Sequence, residues 1–277
     1  MLFPNKFIVQ KSFNFWRNFL SNKRTRFIIS ALLLSGGLFF IQTISFSWRY
    51  FSLVGLGFLA LTLSFWSLRE GIDAKVVWLI TAILPVFFTV AVALFYFLFP
   101  ESIYYQITLL LFFGFAIYII FLTENIFTVA SLRTIALFRA AQTVGFLLTL
   151  LTAFFIYNTI FSFRLFGWWN SILVLLISFP LGLQFFWVAS LEEKMNKEIL
   201  FFSLLSSLII AELSLIVSFF PLNVLTGSLF LTCVAYVSLG LNGAKLKKRL
   251  FEKIVKEYLL VGGLMFLALL LTTSWTN

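Results

Sequence analysis

The chain has 277 residues, 62% hydrophobic and only 11% charged, with a formal net charge of +10. Soluble domains average roughly 45–50% apolar and about 25% charged residues, so a water-soluble globule is excluded and the solvent for most of the chain must be lipid. Histidine is absent and Cys233 stands alone, which argues against His-ligated haem, His-containing zinc sites, a Ser-His triad and any internal disulfide.

Residues 1–26 read as a cytoplasmic basic arm. Between Phe7 and Ser21 the residues Ile8, Val9, Phe13, Phe15, Trp16, Phe19 and Leu20 gather on one side at helical spacing, opposite Gln10, Lys11, Asn14, Arg17 and Asn18. That pattern predicts an amphipathic helix lying in the membrane interface. Residues 27–277 read as a single transmembrane domain. Apolar runs near the ~20 residues that cross a hydrocarbon core lie at 27–46, 50–67, 76–99, 103–122, 143–161, 170–188, 200–220, 222–241 and 258–274. The expected fold class is therefore all-α: a polytopic integral membrane protein of about nine spans with cytoplasmic interfacial amphipathic helices. Pro221 favours dividing 200–241 into two spans, because it cannot continue the hydrogen-bond ladder; one bent hairpin is the alternative.

Taken in chain order, the spans carry few polar residues. Gln42 lies on the first span, with Arg49 beyond it, and Pro85 interrupts the third; Glu101 precedes the fourth, which carries Gln106. The connection 123–142 has neither Gly nor Pro, and a turn at Thr123 to Asn125 followed by a helix running into the fifth span is expected. At 100° per residue Glu124, Thr128, Ser131 and Gln142 fall on one stripe, with Thr134 at its edge. The stripe suits packing between helices; a polar pathway entered from inside is the other reading. Asn158 lies on the fifth span, Arg164 after it, and Pro180 and Gln184 on the sixth. Glu212 is the carboxylate set in "SLIIAELSLIVSFF" on the seventh. The second connection, 242–257, holds an expected interfacial helix at 244–258 with Leu246, Leu250, Phe251, Ile254, Val255 and Tyr258 as its apolar face.

Eighteen of the 20 Lys and Arg residues fall in segments on one side of this nine-span arrangement, and only Arg49 and Arg164 on the other. The bias predicts a cytoplasmic N-terminus and an outer C-terminus, and the very short loops, with no other targeting signal, point to a prokaryotic plasma membrane. The charge reads as attraction to an anionic inner leaflet and not as a nucleic-acid surface.

An intramembrane ionisable residue is a functional-site hypothesis by default. The sharpest expectation is thus a transporter or a lipid- or small-solute-handling protein. Its polar pocket opens outward, with Glu212 at the floor, Asn158, Gln42 and Gln106 around it, and Arg49, Glu101 and Arg164 at the outer rim. A non-catalytic membrane subunit or assembly scaffold, meeting a membrane-protein partner or a second copy, is the alternative. An intramembrane enzyme ranks last, since no catalytic constellation, metal-ligand set or cofactor motif is present.

Overall fold

The computed structural model describes residues 22–44, 46–69, 75–99, 102–130, 136–191 and 196–273. Among these residues all regular structure is helical, in nine helices. In order they are α1 (Lys23–Thr43), α2 (Phe46–Leu68), α3 (Lys75–Tyr96), α4 (Ile103–Ala130), α5 (Phe138–Ser162), α6 (Gly167–Ser190), α7 (Lys197–Val217), α8 (Val224–Leu246) and α9 (Glu252–Thr272). Each is long and apolar enough to cross a membrane. The amphipathic helix expected between Phe7 and Ser21 lies outside the described residues.

The breaks fall where the backbone leaves helical geometry. Arg164, Leu191 and Lys248 take left-handed conformations with φ of 49°, 51° and 54°, an arrangement that ends a helix abruptly. Pro221 lies between α7 and α8, which are two full helices and not one bent hairpin. Pro85 and Pro180 sit inside α3 and α6, and both helices continue through them.

Two expected elements take a different form. No turn occurs at Thr123 to Asn125; α4 runs unbroken to Ala130. The reason is local: Thr123 and Thr128 return their hydroxyls to the carbonyls of Ile120 and Asn125, and no Gly or Pro intervenes, so the polar residues stay within the helix. The interfacial helix expected at 244–258 does not form as a separate element. Its first residues complete α8 and its last begin α9, with the left-handed Lys248 dividing them.

The helices alternate in direction. On the α1–α4 seam Phe27 stacks on Phe121 with centroids 6.2 Å apart, while Ser35, two turns on, abuts Gly114. Alternation gathers Lys23, Arg24, Arg26, Arg69, Lys75, Arg139, Lys197 and Lys245 through Arg249 at one end of the bundle, here the basic end, and leaves Arg49 and Arg164 at the far end.

The centre of the bundle is α5, packed against α3, α4, α6 and α8. Residues Phe155 through Ile160 are all buried, as expected for a helix enclosed on every side. Aromatic rings fill its seams: Phe88 lies 5.8 Å from Phe113 and 6.4 Å from Phe155. Hydrogen bonds cross between helices at Tyr157–Ser178 (2.7 Å), Asn158–Ser228 (3.1 Å), Ser171–Ala211 (2.8 Å) and Asn242–Ser206 (2.9 Å). In membrane proteins, side-chain hydrogen bonds between helices contribute on the order of 0.6 kcal/mol each, at most about 1.7. At the opposite extreme, α9 packs against α8, and Leu269 is the one buried residue along its described length.

Candidate functional site

A cavity of about 630 Å³ opens at the basic end between α5, α6, α8 and α9. Its mouth carries Arg139, Lys247 and Arg249; its walls are Phe127, Phe146, Phe185, Tyr236 and Tyr258; its inner polar residues are Gln142, Thr149 and Gln184. The volume lies within the roughly 300–1,000 Å³ of small-molecule sites, and a mostly apolar lining that includes aromatic rings, with a few polar groups, is their usual composition. A shallower vestibule of about 520 Å³ adjoins the mouth, sharing its three cations and adding Lys248 and one carboxylate, Glu198.

Small residues on α5 and α8 make the room. Gly145, Gly240 and Gly243 all line the cavity, and a β-carbon on each would meet an aromatic ring of Phe127, Tyr258 and Phe185 respectively, at 3.0 Å or less. The rings thus lie flush against backbone. Phe146 stacks on Tyr236 (5.7 Å) and meets Phe185 at a tilt (5.0 Å), and Tyr236 meets Tyr258 at 4.9 Å, so the aromatic wall continues from α6 to α9.

The cavity also has a side opening. Thr143 and Leu147 line it, yet both are exposed, Leu147 at 59%. They belong to the basic half of α5, where one edge of the helix is exposed, unlike its enclosed outer half.

Hydrogen bonds tie the mouth to the interior. Lys247 Nζ donates to Gln142 Oε1 at 3.3 Å, and Gln142 Nε2 donates to the Val188 carbonyl at 2.9 Å. Desolvation where Lys247 meets the cavity, and then the neighbouring Arg249 guanidinium, hold the Lys247 ammonium pKa below the ordinary lysine value. Four residues deeper along α6 than Val188, or about 6 Å, Gln184 donates its Nε2 hydrogen to Glu124 Oε1 on α4. Glu124 is fully buried. Its Oε2, and Gln184 Oε1, have no hydrogen-bond partner.

The residues singled out in the sequence are dispersed by the fold. Glu212 is exposed on α7 and does not line the cavity. Asn158 is bonded to Ser228, and Gln106 to the Tyr96 hydroxyl at 2.9 Å. Gln42 is buried on α1 with neither amide atom bonded. Arg49 caps the Ile44 carbonyl at 3.2 Å and lies over the Phe97 ring, and Arg164 is exposed in the α5–α6 turn. Glu101 and Ser131 fall outside the described residues. The structure therefore does not gather Glu212, Asn158, Gln42 and Gln106 around one pocket; an exposed position on a helix in an apolar bundle faces outward, away from the amides. Of the second stripe, Glu124 and Gln142 both reach α6, and Thr128 is buried on α4.

In the sequence Arg139, Lys247 and Arg249 read as orientation signals and Gln184 stands apart from the other amides, so none of the four is legible there as a cavity residue. One signal did point here. Gln184 is the lone midspan amide displaced toward the basic end, the same end as the Glu124–Gln142 stripe.

Among the described residues no group of three or more Cys, Asp or Glu side chains could hold a metal ion. A family profile described as "Protein of unknown function (DUF5656)" matches residues 28–272. No curated protein and no solved structure matches the chain.

Proposed function

We propose that this chain, which belongs to the DUF5656 family, is a multi-pass membrane protein that binds an anionic amphiphile in the cavity at its basic end. The supporting observation is the cavity's own polarity: three cations at the mouth, an aromatic wall behind them, and an opening on the side of the bundle. An anionic head group would sit against Arg139, Lys247 and Arg249, where charge-assisted hydrogen bonds are strongest. The apolar chain would follow the ring faces and leave past Leu147 into the bilayer.

The orientation proposed is basic end inward, from the Lys/Arg bias, in a prokaryotic plasma membrane. The cavity would then face the cytoplasm and the inner leaflet. Lipid or solute handling follows from this reading: a lipid entering sideways exchanges its head-group environment for one built from protein. Transport across the membrane would further require a second, outward-open arrangement of the same helices.

The test is binding of dodecyl phosphate to the detergent-purified protein, followed by native mass spectrometry. One saturable site is expected, weakened at least tenfold in Arg139→Gln/Lys247→Gln/Arg249→Gln. Absence of saturable binding, or equal binding by the triple variant, would refute the reading.

A second reading is supported by α9, whose flanks carry the exposed Leu259, Leu260, Leu264, Phe266, Leu267 and Leu271. A membrane-protein partner or second copy seated there would make the protein an assembly subunit. Cross-linking through cysteines placed on α9, in a Cys233→Ser background, separates a protein contact from lipid alone.

A further inference from the structure

The turn that closes α8 carries three consecutive cations, Lys247, Lys248 and Arg249. Side chains at successive positions of a continuing helix fan out by about 100°, so three in a row would not face one recess. Here the helix ends among them. The Lys248 N–H donates to the Lys245 carbonyl and the Arg249 N–H to the Ala244 carbonyl, both at 2.9 Å. Lys248 takes its left-handed φ of 54° at the position that glycine usually fills in such a closure. With the helix closed off in this way, all three cations border the vestibule, and Lys247 and Arg249 border the cavity as well. A lysine thus stands at the vestibule in a backbone conformation that disfavours it.

Local structure accounts for only part of this charge. Lys247 and Lys248 stand at the C-terminal end of α8, the end of a helix that favours cations. Arg139 is placed the other way: it is the second residue of α5, beside the positive end of that helix. The first turn of α5 has no acidic residue, and its N-cap, Leu137, makes no side-chain cap. The vestibule sets four cations, Arg139, Lys247, Lys248 and Arg249, against one carboxylate, Glu198. Among the described residues none of the four is in an ion pair, so three positive charges are left over around one recess. Lys197 and Lys245 border a neighbouring recess, where Lys245 lies 5.8 Å over the Phe202 ring, and neither lines the vestibule.

From this surplus we infer that the head group bound is a diphosphate ester: the phosphoryl group next to the apolar chain lies at the cavity mouth, and the terminal one lies in the vestibule against Lys248. A phosphate monoester carries about −1.5 to −2 charges at neutral pH, and a second phosphoryl group brings the total to roughly −3. One phosphate leaves the vestibule positive; two neutralise it. Arg139, Lys247 and Arg249 border both spaces and so bridge the two phosphoryl groups, the guanidinium forks each engaging two oxygens. Lys248 borders the vestibule and not the cavity, which makes it the residue that distinguishes a diphosphate from a monophosphate. This inference rests on the amphiphile-binding reading above and specifies its head group.

The experiment compares dodecyl phosphate with dodecyl diphosphate on the detergent-purified full chain, without divalent cations, in wild type, Lys248→Gly and Lys245→Gln. Glycine suits the left-handed backbone at 248, so Lys248→Gly removes the ammonium and keeps the turn, while Lys245→Gln removes an equal charge outside the vestibule. The wild type is expected to bind dodecyl diphosphate at least tenfold more tightly than dodecyl phosphate. In Lys248→Gly that preference should fall at least threefold while dodecyl phosphate affinity stays within twofold; in Lys245→Gln the preference should be unchanged. Equal affinities for the two probes in the wild type, an undiminished preference in Lys248→Gly, or the same loss in Lys245→Gln would overturn the diphosphate site and leave the anionic mouth standing. Binding of neither probe would instead overturn the amphiphile reading itself. Inorganic diphosphate competing as well as its dodecyl ester would keep the site but assign its ligand to a soluble pool; weaker competition would assign it to lipid.

Discussion

Gly240 offers the sharpest test of how the cavity is built. A β-carbon at this position would lie 2.3 Å from Tyr258 Cε1, 2.4 Å from Cζ and 2.6 Å from the hydroxyl. Carbon atoms prefer separations of about 3.5–4.0 Å, so Gly240→Ala must drive the ring outward by about 1.2 Å or rotate it into the cavity. Overpacking of this size costs about 1–3 kcal/mol, offset by the roughly 1 kcal/mol that Ala gains over Gly inside a helix. The single variant is therefore expected to be destabilised by about 0–2 kcal/mol, read by SDS titration from mild micelles with tryptophan fluorescence. In a Tyr258→Ala background the obstacle is gone, and the same substitution should stabilise by about 1 kcal/mol. The double-mutant cycle thus predicts a coupling of about 1–3 kcal/mol. Effects that add to within about 0.5 kcal/mol would refute the packing argument. Because Tyr258 also forms part of the cavity wall, Gly240→Ala should weaken dodecyl phosphate binding as well.

Gly36, where an added β-carbon meets nothing within 4 Å, should respond in the opposite sense, with Gly36→Ala stabilising by about 0.5–1 kcal/mol in the same titration. Tyr157→Phe removes the buried 2.7 Å bond to Ser178 and should cost about 0.6–1.7 kcal/mol; no loss would mean that Ser178 finds another partner. Glu212→Gln, on an exposed position, should leave amphiphile binding unchanged, and a large loss would return Glu212 to the site. Lys247 has a lowered pKa in the fold, so the unfolded chain holds its proton to higher pH and stability rises as pH climbs through the folded value toward the unfolded one. Anion binding has the reverse dependence: it should decline at a pH below that of an ordinary lysine, and Lys247→Arg should extend it to more alkaline pH.

The helix count was legible because hydropathy over about 20 residues depends on composition and not on partners. The turn between α7 and α8 was legible for a similar reason, since Pro221 acts through its own ring. What misled the reading at Thr123 to Asn125 and at 244–258 was polarity taken as a sign of chain reversal or surface. Thr123 satisfies itself within one turn, and Tyr258 finds its apolar neighbour across a gap, on Gly240 and Tyr236. The candidate site was less legible still. A carboxylate's cost in lipid is the same for Glu212 and Glu124 when read along the chain, but only packing decides which of them is enclosed. Glu124 reaches Gln184, 60 positions away, and no periodicity within one helix encodes that meeting.

Ile254 and Tyr258 of α9 complete one side of the cavity, although α9 adds almost nothing to the buried core. During synthesis, α1 through α8 emerge first and can assemble their seams before α9 is made. A nascent chain at that stage would hold a nearly finished bundle with an open furrow in place of a pocket. Under the proposed function, ligand competence would arrive with the last of these helices, later than the packing of the rest of the bundle, and a lipid resting in the furrow would help recruit the helix that encloses it.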